Sequence, residues 1–343
     1  MKLLTIVIPS FNSEDYLANC LDNLLIGLDD KLEVIVVNDG SVDKTSEIAH
    51  EYASKHSFIK VIDKVNGGHG SAINVASKIA EGLYFKVLDS DDKLSSIGLK
   101  NLIKQIEIKT KENNLPDVFL SDYVCVSQID DQKHVVSLKK YFPKINEVLS
   151  PDEIKKISNG DFIMLHAIFV KTSLLKEHYP NLLEKTFYED NQFVYHVVIH
   201  ANSYCYVDEA IYLYSVGRIG QSISFDNMMK NYSHQLRVFE AMSKMISSEE
   251  LAKLSDGKRQ LVHLVFFTMC YLSFFYAHIA KGKDGRRKYK QILKEFKKRD
   301  KYQYAIYYHR YPLMFLKWIL PCFRRPACKF VWKSGAKKKG WSF

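Results

Sequence analysis

Within the first ninety residues, four short apolar runs each lead to a polar cluster, with helix-like patterning between them. Residues 3–8 (Leu-Leu-Thr-Ile-Val-Ile) end at Pro9-Ser10-Phe11-Asn12, and residues 33–37 end at Asn38-Asp39-Gly40-Ser41. Residues 58–62 lead to Asn66-Gly67-Gly68-His69-Gly70, and residues 84–88 end at Asp89-Ser90-Asp91-Asp92. Ser13 reads as the N-cap of a helix running to Leu25, with Leu17, Leu21, Leu24 and Leu25 on one face. Further helices are expected over residues 43–54 and 71–80. Strands alternating with helices imply an α/β fold with a doubly wound, mostly parallel sheet and right-handed crossovers. Such sheets take their ligands beyond the carboxyl ends of the strands. One polar cluster there is routine, whereas four in succession describe a site.

After residue 95 the pattern is mixed. Residues 117–123 and 134–138 read as strands at a sheet edge, and 151–158 read as a helix. Glu189-Asp190 opens a helix through Phe193, Val194, Val197 and Val198, and the chain beyond about 225 reads as mainly helical. The expected division is a catalytic domain over 1–224 and a helical, basic and aromatic region over 225–343. Of the 49 basic residues, 20 fall in 281–343, against 3 of the 39 acidic ones, so the formal net charge of +10 belongs to the tail. That asymmetry points to an anionic partner. The six cysteines are scattered without a C-x-x-C pair or zinc spacing, which suits reduced thiols in the cytosol. The stretch Met1–Pro9 reads as a first strand, being too short for a signal-peptide core.

Three carboxylates within Asp89–Asp92 repel one another unless a cation sits among them. Hard oxygen ligands on a short turn suit Mg²⁺ or Mn²⁺, which also bind substrate phosphates. A solvated acidic turn is the alternative for this stretch alone. Gly67, Gly68 and Gly70 allow close approach to a phosphate or base, or simply form a surface loop. The first strand–helix turn has no glycine, and no G-x-x-x-x-G-K-[ST] exists, so the dinucleotide fingerprint and the P-loop are both excluded.

Taken in order and spacing, the four clusters with Asn74 and Glu189-Asp190 resemble the family 2 glycosyltransferases of the GT-A fold, over about residues 3–224. The resemblance implies a Rossmann-like nucleotide-sugar domain carrying a C-terminal helical appendage. It implies that Pro9, Ser10, Phe11 and Asn12 lie along the base and ribose, usually of a uracil nucleotide, and that Asp39 accepts from the base N–H. Asn66, Gly67, Gly68 and His69 would face base or phosphate. Many relatives carry Arg or Lys at the His69 position, so ligand contact and loop packing both remain open for that side chain. Asp89, Ser90 and Asp91 would form the DxD motif, with Asp91 and Asp92 as the metal-side carboxylates for Mn²⁺ or Mg²⁺. Glu189 and Asp190 would be the catalytic pair, with Asp190 as general base in an inverting transfer. Arg218 and Ser222 would close over the diphosphate. His166 would line the acceptor site or pack as a core histidine. No QxxRW motif of the processive relatives is present.

Residues 261–280 lack Asp, Glu, Lys and Arg and are long enough to span a bilayer, but the histidines and hydroxyls within them favour a buried helix. The short apolar segment 312–323, flanked by Tyr307, Tyr308, Arg310, Arg324 and Arg325, suits an interfacial helix on anionic lipid. The expected enzyme is a metal-dependent, nonprocessive glycosyltransferase. It would use a UDP-sugar and a saccharide acceptor, lipid-linked and part of a capsule or other surface polysaccharide. It would work at the cytoplasmic membrane face, with peripheral contact through 307–343 and no nucleic acid. A protein acceptor, or a non-catalytic membrane-associated scaffold, are the rival readings.

Overall fold

The computed structural model describes residues 1–158, 161–179, 181–217, 224–279 and 284–309, together with residue 326. The four apolar runs form β1 (Leu4–Ser10), β2 (Leu32–Asn38), β3 (Ile59–Asp63) and β4 (Tyr84–Val87). They lie parallel in the order β3-β2-β1-β4. The β1–β2 register pairs Leu4 with Leu32 and Ser10 with Asn38, and Asn38 pairs with Asp63 of β3. The strands therefore end nearly flush, and the clusters that follow them share one rim. The crossovers contain α1 (Leu17–Asp22), α2 (Thr45–Lys55) and α3 (His69–Ile79), and α4 (Ser96–Lys111) follows β5 (Lys93–Leu94).

The sheet continues beyond β4 with β9 (Ile168–Lys171), then β6 (Val118–Ser127), then β10 (Tyr204–Val216), ending at β5. The β6–β10 pair is parallel, and β9 is antiparallel to both of its neighbours. Short strands β7 (Lys133–Val136) and β8 (Val148–Leu149) pair with β6 and β10. This half also contains α5 (Thr172–Glu177) and α6 (Asp190–His200). The result is a doubly wound, mostly parallel sheet, as expected.

Local expectations met several corrections. Ser13 does not cap a helix to Leu25: its N–H donates to Thr45 Oγ1 at 2.7 Å, and its hydroxyl pairs with Ser90 Oγ at 2.8 Å. Regular helix is confined to Leu17–Asp22. The strand expected at an edge over 117–123 lies inside the sheet between β9 and β10, and its residues are nearly all buried. Residues 151–158 hold a single 3₁₀ turn, Pro151–Glu153, closed by a Ser150–Glu153 capping box.

The C-terminal region is helical: α7 (Phe225–Lys230), α8 (Tyr232–Met242), α9 (Ser248–Lys253), α10 (Asp256–Ile279), α11 (Asp284–Arg299) and α12 (Lys301–His309). Asp256–His278 is long and apolar enough to cross a membrane, with a mean hydropathy of 1.5 in its apolar window, yet 61% of that window is buried inside the molecule. It packs on α6, α8 and α11, with Phe266 5.4 Å from Tyr195 of α6 and 5.8 Å from Phe239 of α8. Buried aromatics contribute roughly 1.5–3 kcal/mol each, and the same contacts join the helical region to the sheet domain.

Candidate active site

The first two clusters lock together through Asp39, which lies buried just past β2. Its N–H donates to the Ser10 carbonyl at 2.8 Å. Its Oδ1 accepts from Lys64 Nζ at 2.6 Å and the Gly67 N–H at 2.9 Å, and its Oδ2 accepts from the Gly68 N–H at 2.7 Å. Asn66 Nδ2 donates to the Asp39 carbonyl at 2.9 Å. Gly68 sits at φ 87°, a conformation that favours glycine. Asp39 thus organises the third cluster, and a carboxylate's four acceptor positions leave capacity on Oδ2 for one more N–H. Pro9 and Ser10 are buried within the sheet end, with Ser10 Oγ donating to the Ile8 carbonyl at 3.3 Å. Phe11 and Asn12 face outward. Asn12, at φ 48°, accepts from the Val42 N–H and donates its own to Ser41 Oγ, both at 3.0 Å, which holds the turn beside the half-exposed Phe11 ring.

Asp89–Asp92 follow β4 at the same rim. Asp92 is fully buried and accepts from Tyr212 Oη and the Ser215 N–H, each at 2.7 Å. Ser215 Oγ donates to the Asp91 carbonyl at 3.0 Å. Burial and the neighbouring Asp89 charge push Asp92 well above the usual carboxylate range, against those hydrogen bonds. Asp89 stays partly exposed, with its Oδ1 3.0 Å from His69 Nε2. The other nitrogen of that ring, Nδ1, lies 2.7 Å from Glu189 Oε1. Burial disfavours the charged ring, but the Asp89 and Glu189 carboxylates outweigh it and hold His69 protonated well above its usual range. One imidazolium therefore joins the DxD cluster to the Glu189-Asp190 pair.

Glu189 is buried at the start of α6, and its Oε2 is a buried acceptor with no hydrogen-bond partner among the described residues. Asp190 Oδ1 accepts from Asn191 Nδ2 at 2.9 Å. Burial and the Glu189 charge raise the Asp190 carboxyl to about 6, with His69 opposing them. Arg218 and Ser222 lie outside the described residues.

Two residues of the site lacked a clear sequence signal. Lys86 interrupts the buried strand β4, and its ammonium donates to the carbonyls of Leu165 (3.0 Å), His166 (2.5 Å) and Ile168 (3.2 Å). It also lies over the Phe169 and Tyr212 rings. A charge inside an otherwise apolar strand run was its one visible mark. His166, on the turn that Lys86 holds, is buried among Tyr123, Tyr212 and Tyr214. Its Nδ1 has no hydrogen-bond partner among the described residues. Burial lowers its pKa to about 4, so it is a neutral imidazole.

One ligand atom from each of Asp89, Asp92 and His166 lies within 4.8 Å of the others. Among the described residues this is the group with the composition and spacing to hold a metal ion. Two carboxylates, whose repulsion a cation relieves, and an unpartnered neutral imidazole fit a divalent ion such as Mn²⁺. Asp91, expected as the main metal contact, is not in that group.

The sequence profile described as glycosyl transferase family 2 matches residues 5–168. The uncharacterized glycosyltransferase MG025 of Mycoplasma genitalium is 30% identical over 224 residues, covering 64% of this chain and 70% of that protein. The chain belongs to glycosyltransferase family 2. The uncharacterized glycosyltransferase EpsJ of Bacillus subtilis is 38% identical over 107 residues, and the match spans only 31% of its length. Among solved structures, S. aureus TarS 1-349 in complex with UDP-GlcNAc superposes with a TM-score of 0.65 at 20% identity, covering 100% of this chain and 93% of that one. That likeness extends the shared fold of this glycosyltransferase through its helical C-terminal region.

Proposed function

We propose that the enzyme is an inverting, metal-dependent, nonprocessive glycosyltransferase that moves a sugar from a UDP donor to a hydroxyl of a saccharide acceptor. The carrying observation is the His69 bridge, which places the donor-side Asp89 and the acceptor-side Glu189 on either side of one ring. Phe11 and Asn12 offer an exposed aromatic and polar edge for the base, with Asp39 behind them. The binding of UDP-GlcNAc by TarS supports a uridine donor. A divalent ion held by Asp89, Asp92 and His166 would neutralise charge on the diphosphate. The His69 imidazolium adds a fixed positive charge at the same rim.

Asp190, at about 6, is ionised at neutral pH yet basic enough to accept a proton. It takes the proton from the acceptor hydroxyl as that oxygen bonds to the anomeric carbon. The carbon–oxygen bond to the diphosphate breaks on the opposite face, so configuration inverts. Buried Glu189 stays bonded to His69 and keeps the Asp190 pKa raised.

The acceptor is a lipid-linked saccharide of a surface polysaccharide, and the enzyme works at the cytoplasmic face of the membrane. Family likeness supports the pathway. Helix α11 supports the location: Lys290, Lys294 and Lys297 are exposed, and none of the three is in an ion pair among the described residues. The segment 312–323, expected to form an interfacial helix, lies outside the described residues.

Asp190→Asn and a pH profile test the chemical half. The variant should lose about 10²–10⁴-fold in turnover with UDP affinity intact. The wild-type rate should fall as pH drops through about 6, because protonation removes the base. An Asn variant with full turnover would remove Asp190 from the mechanism.

A further inference from the structure

Residues 181–188, which deliver Glu189 and Asp190 to the cleft, include three non-glycine residues in the left-handed region: Asn181 (φ 42°), Lys185 (φ 49°) and Tyr188 (φ 72°). Each such residue costs on the order of 1–3 kcal/mol and persists only where its surroundings fix it. The donor half fixes one side. Asn74 exchanges two hydrogen bonds with the Leu182 backbone, at 2.9 and 2.8 Å, and the Lys185 N–H donates to the Gly67 carbonyl at 2.6 Å.

The C-terminal helices fix the other side. The Phe187 N–H donates to His234 Nδ1 of α8 at 3.1 Å, and the two rings lie 5.3 Å apart, tilted by 30°. Arg237, about one turn further along α8, donates to the Lys185 carbonyl at 3.2 Å and the Glu184 carbonyl at 3.4 Å. The Tyr188 ring stacks on Tyr276 of α10 with centroids 6.3 Å apart.

We propose that His234 and Arg237 are positioning residues for glycosyl transfer: they clamp residues 184–188 so that Asp190 meets the donor site. The helical region is then a working part of the catalytic unit. The catalytic consequence rests on the transfer reading above, whereas the clamp itself does not. Because Phe187 donates to Nδ1, the His234 proton sits on Nε2 and the ring acts as a neutral acceptor. Burial and the neighbouring Arg237 lower its pKa and favour that neutral form. The Arg237 guanidinium bridges two successive carbonyls, which the single ammonium of a lysine matches poorly.

The test uses the full chain with two pairs of variants. His234→Phe keeps a ring against Phe187 but removes the acceptor, and His234→Asn restores an acceptor oxygen. Arg237→Ala removes the fork, and Arg237→Lys keeps only the charge. Hydrogen exchange is read over residues 181–190, and turnover of a panel of UDP-sugars with Mn²⁺ is followed against pH.

His234→Phe and Arg237→Ala should exchange faster over 181–190 and unchanged over β1–β4. Their kcat should fall on the order of 10–100-fold with donor KM nearly constant, as expected for misplacement of a base. Their acid limb should also move to lower pH, because a loosened loop rehydrates Asp190 and removes the main cause of its raised pKa. Glu189, His69, Asp89 and Asn191 act on that carboxyl, and all four are retained in the variants. His234→Asn should recover much of the rate, and Arg237→Lys little. A purely structural role would lower Tm without moving the limb and would overturn the proposal. Unchanged exchange in His234→Phe and Arg237→Ala would overturn it as well. If the wild type turned over no UDP-sugar, the transfer reading would fail, while the exchange data would still decide the clamp.

Discussion

At the scale of single residues, Asp39 holds a loop together and is also the proposed acceptor for the base N–H. It accepts from Lys64 and from two loop amides at the rim beyond β2. Asp39→Asn keeps the shape but turns one acceptor atom into a donor facing an N–H group. Leaving a buried donor unsatisfied costs about 1–3 kcal/mol. Urea denaturation should show a loss of that size, together with weaker UDP binding. Unchanged stability would mean that the Gly67–Gly68 loop is held by other contacts. The residues with clear sequence signals are those whose chemistry shows in their type and order, such as Asp39, Asp89 and Asp190. His166 and Lys86 were obscure because their roles depend on a turn that meets β4 from 80 residues away. A histidine in an apolar stretch looks the same whether both ring nitrogens are bonded or, as in His166, Nδ1 has no hydrogen-bond partner among the described residues.

At the scale of elements, strands β1 to β4 were legible because each is a short run rich in β-branched or aromatic residues ended by a polar stop. The helix after Ser13 was not, because the serine bonds across the fold to Thr45 and Ser90 instead of capping locally. The strand Val118–Ser127 was mistaken for an edge because pairing partners from distant parts of the chain leave no local mark. Helix α11 carries a prediction of its own. Its exposed Lys290, Lys294 and Lys297 should be drawn to an anionic bilayer at about 1 kcal/mol per basic residue. The triple change Lys290→Glu, Lys294→Glu and Lys297→Glu should abolish co-sedimentation with phosphatidylglycerol vesicles at moderate salt while leaving turnover of a soluble donor intact. Retained co-sedimentation would shift the membrane contact to residues 310–343.

At the scale of the whole molecule, the sheet domain and the C-terminal helices share one buried core, in which Phe266 of α10 meets Tyr195 of α6. The sequence suggested an appendage because its composition changes near residue 225, yet composition says nothing about which surfaces the new helices cover. The rim built from Pro9 to Asp190 is the proposed place where a nucleotide sugar is bound and activated. The most direct measurement is nucleotide release from a panel of UDP-, GDP- and dTDP-sugars, with and without Mn²⁺. Mn²⁺-dependent release from a UDP-sugar is expected, lost on chelation and restored by added metal. Absence of both release and binding across the whole panel, with Mn²⁺ present and the fold intact, would contradict it.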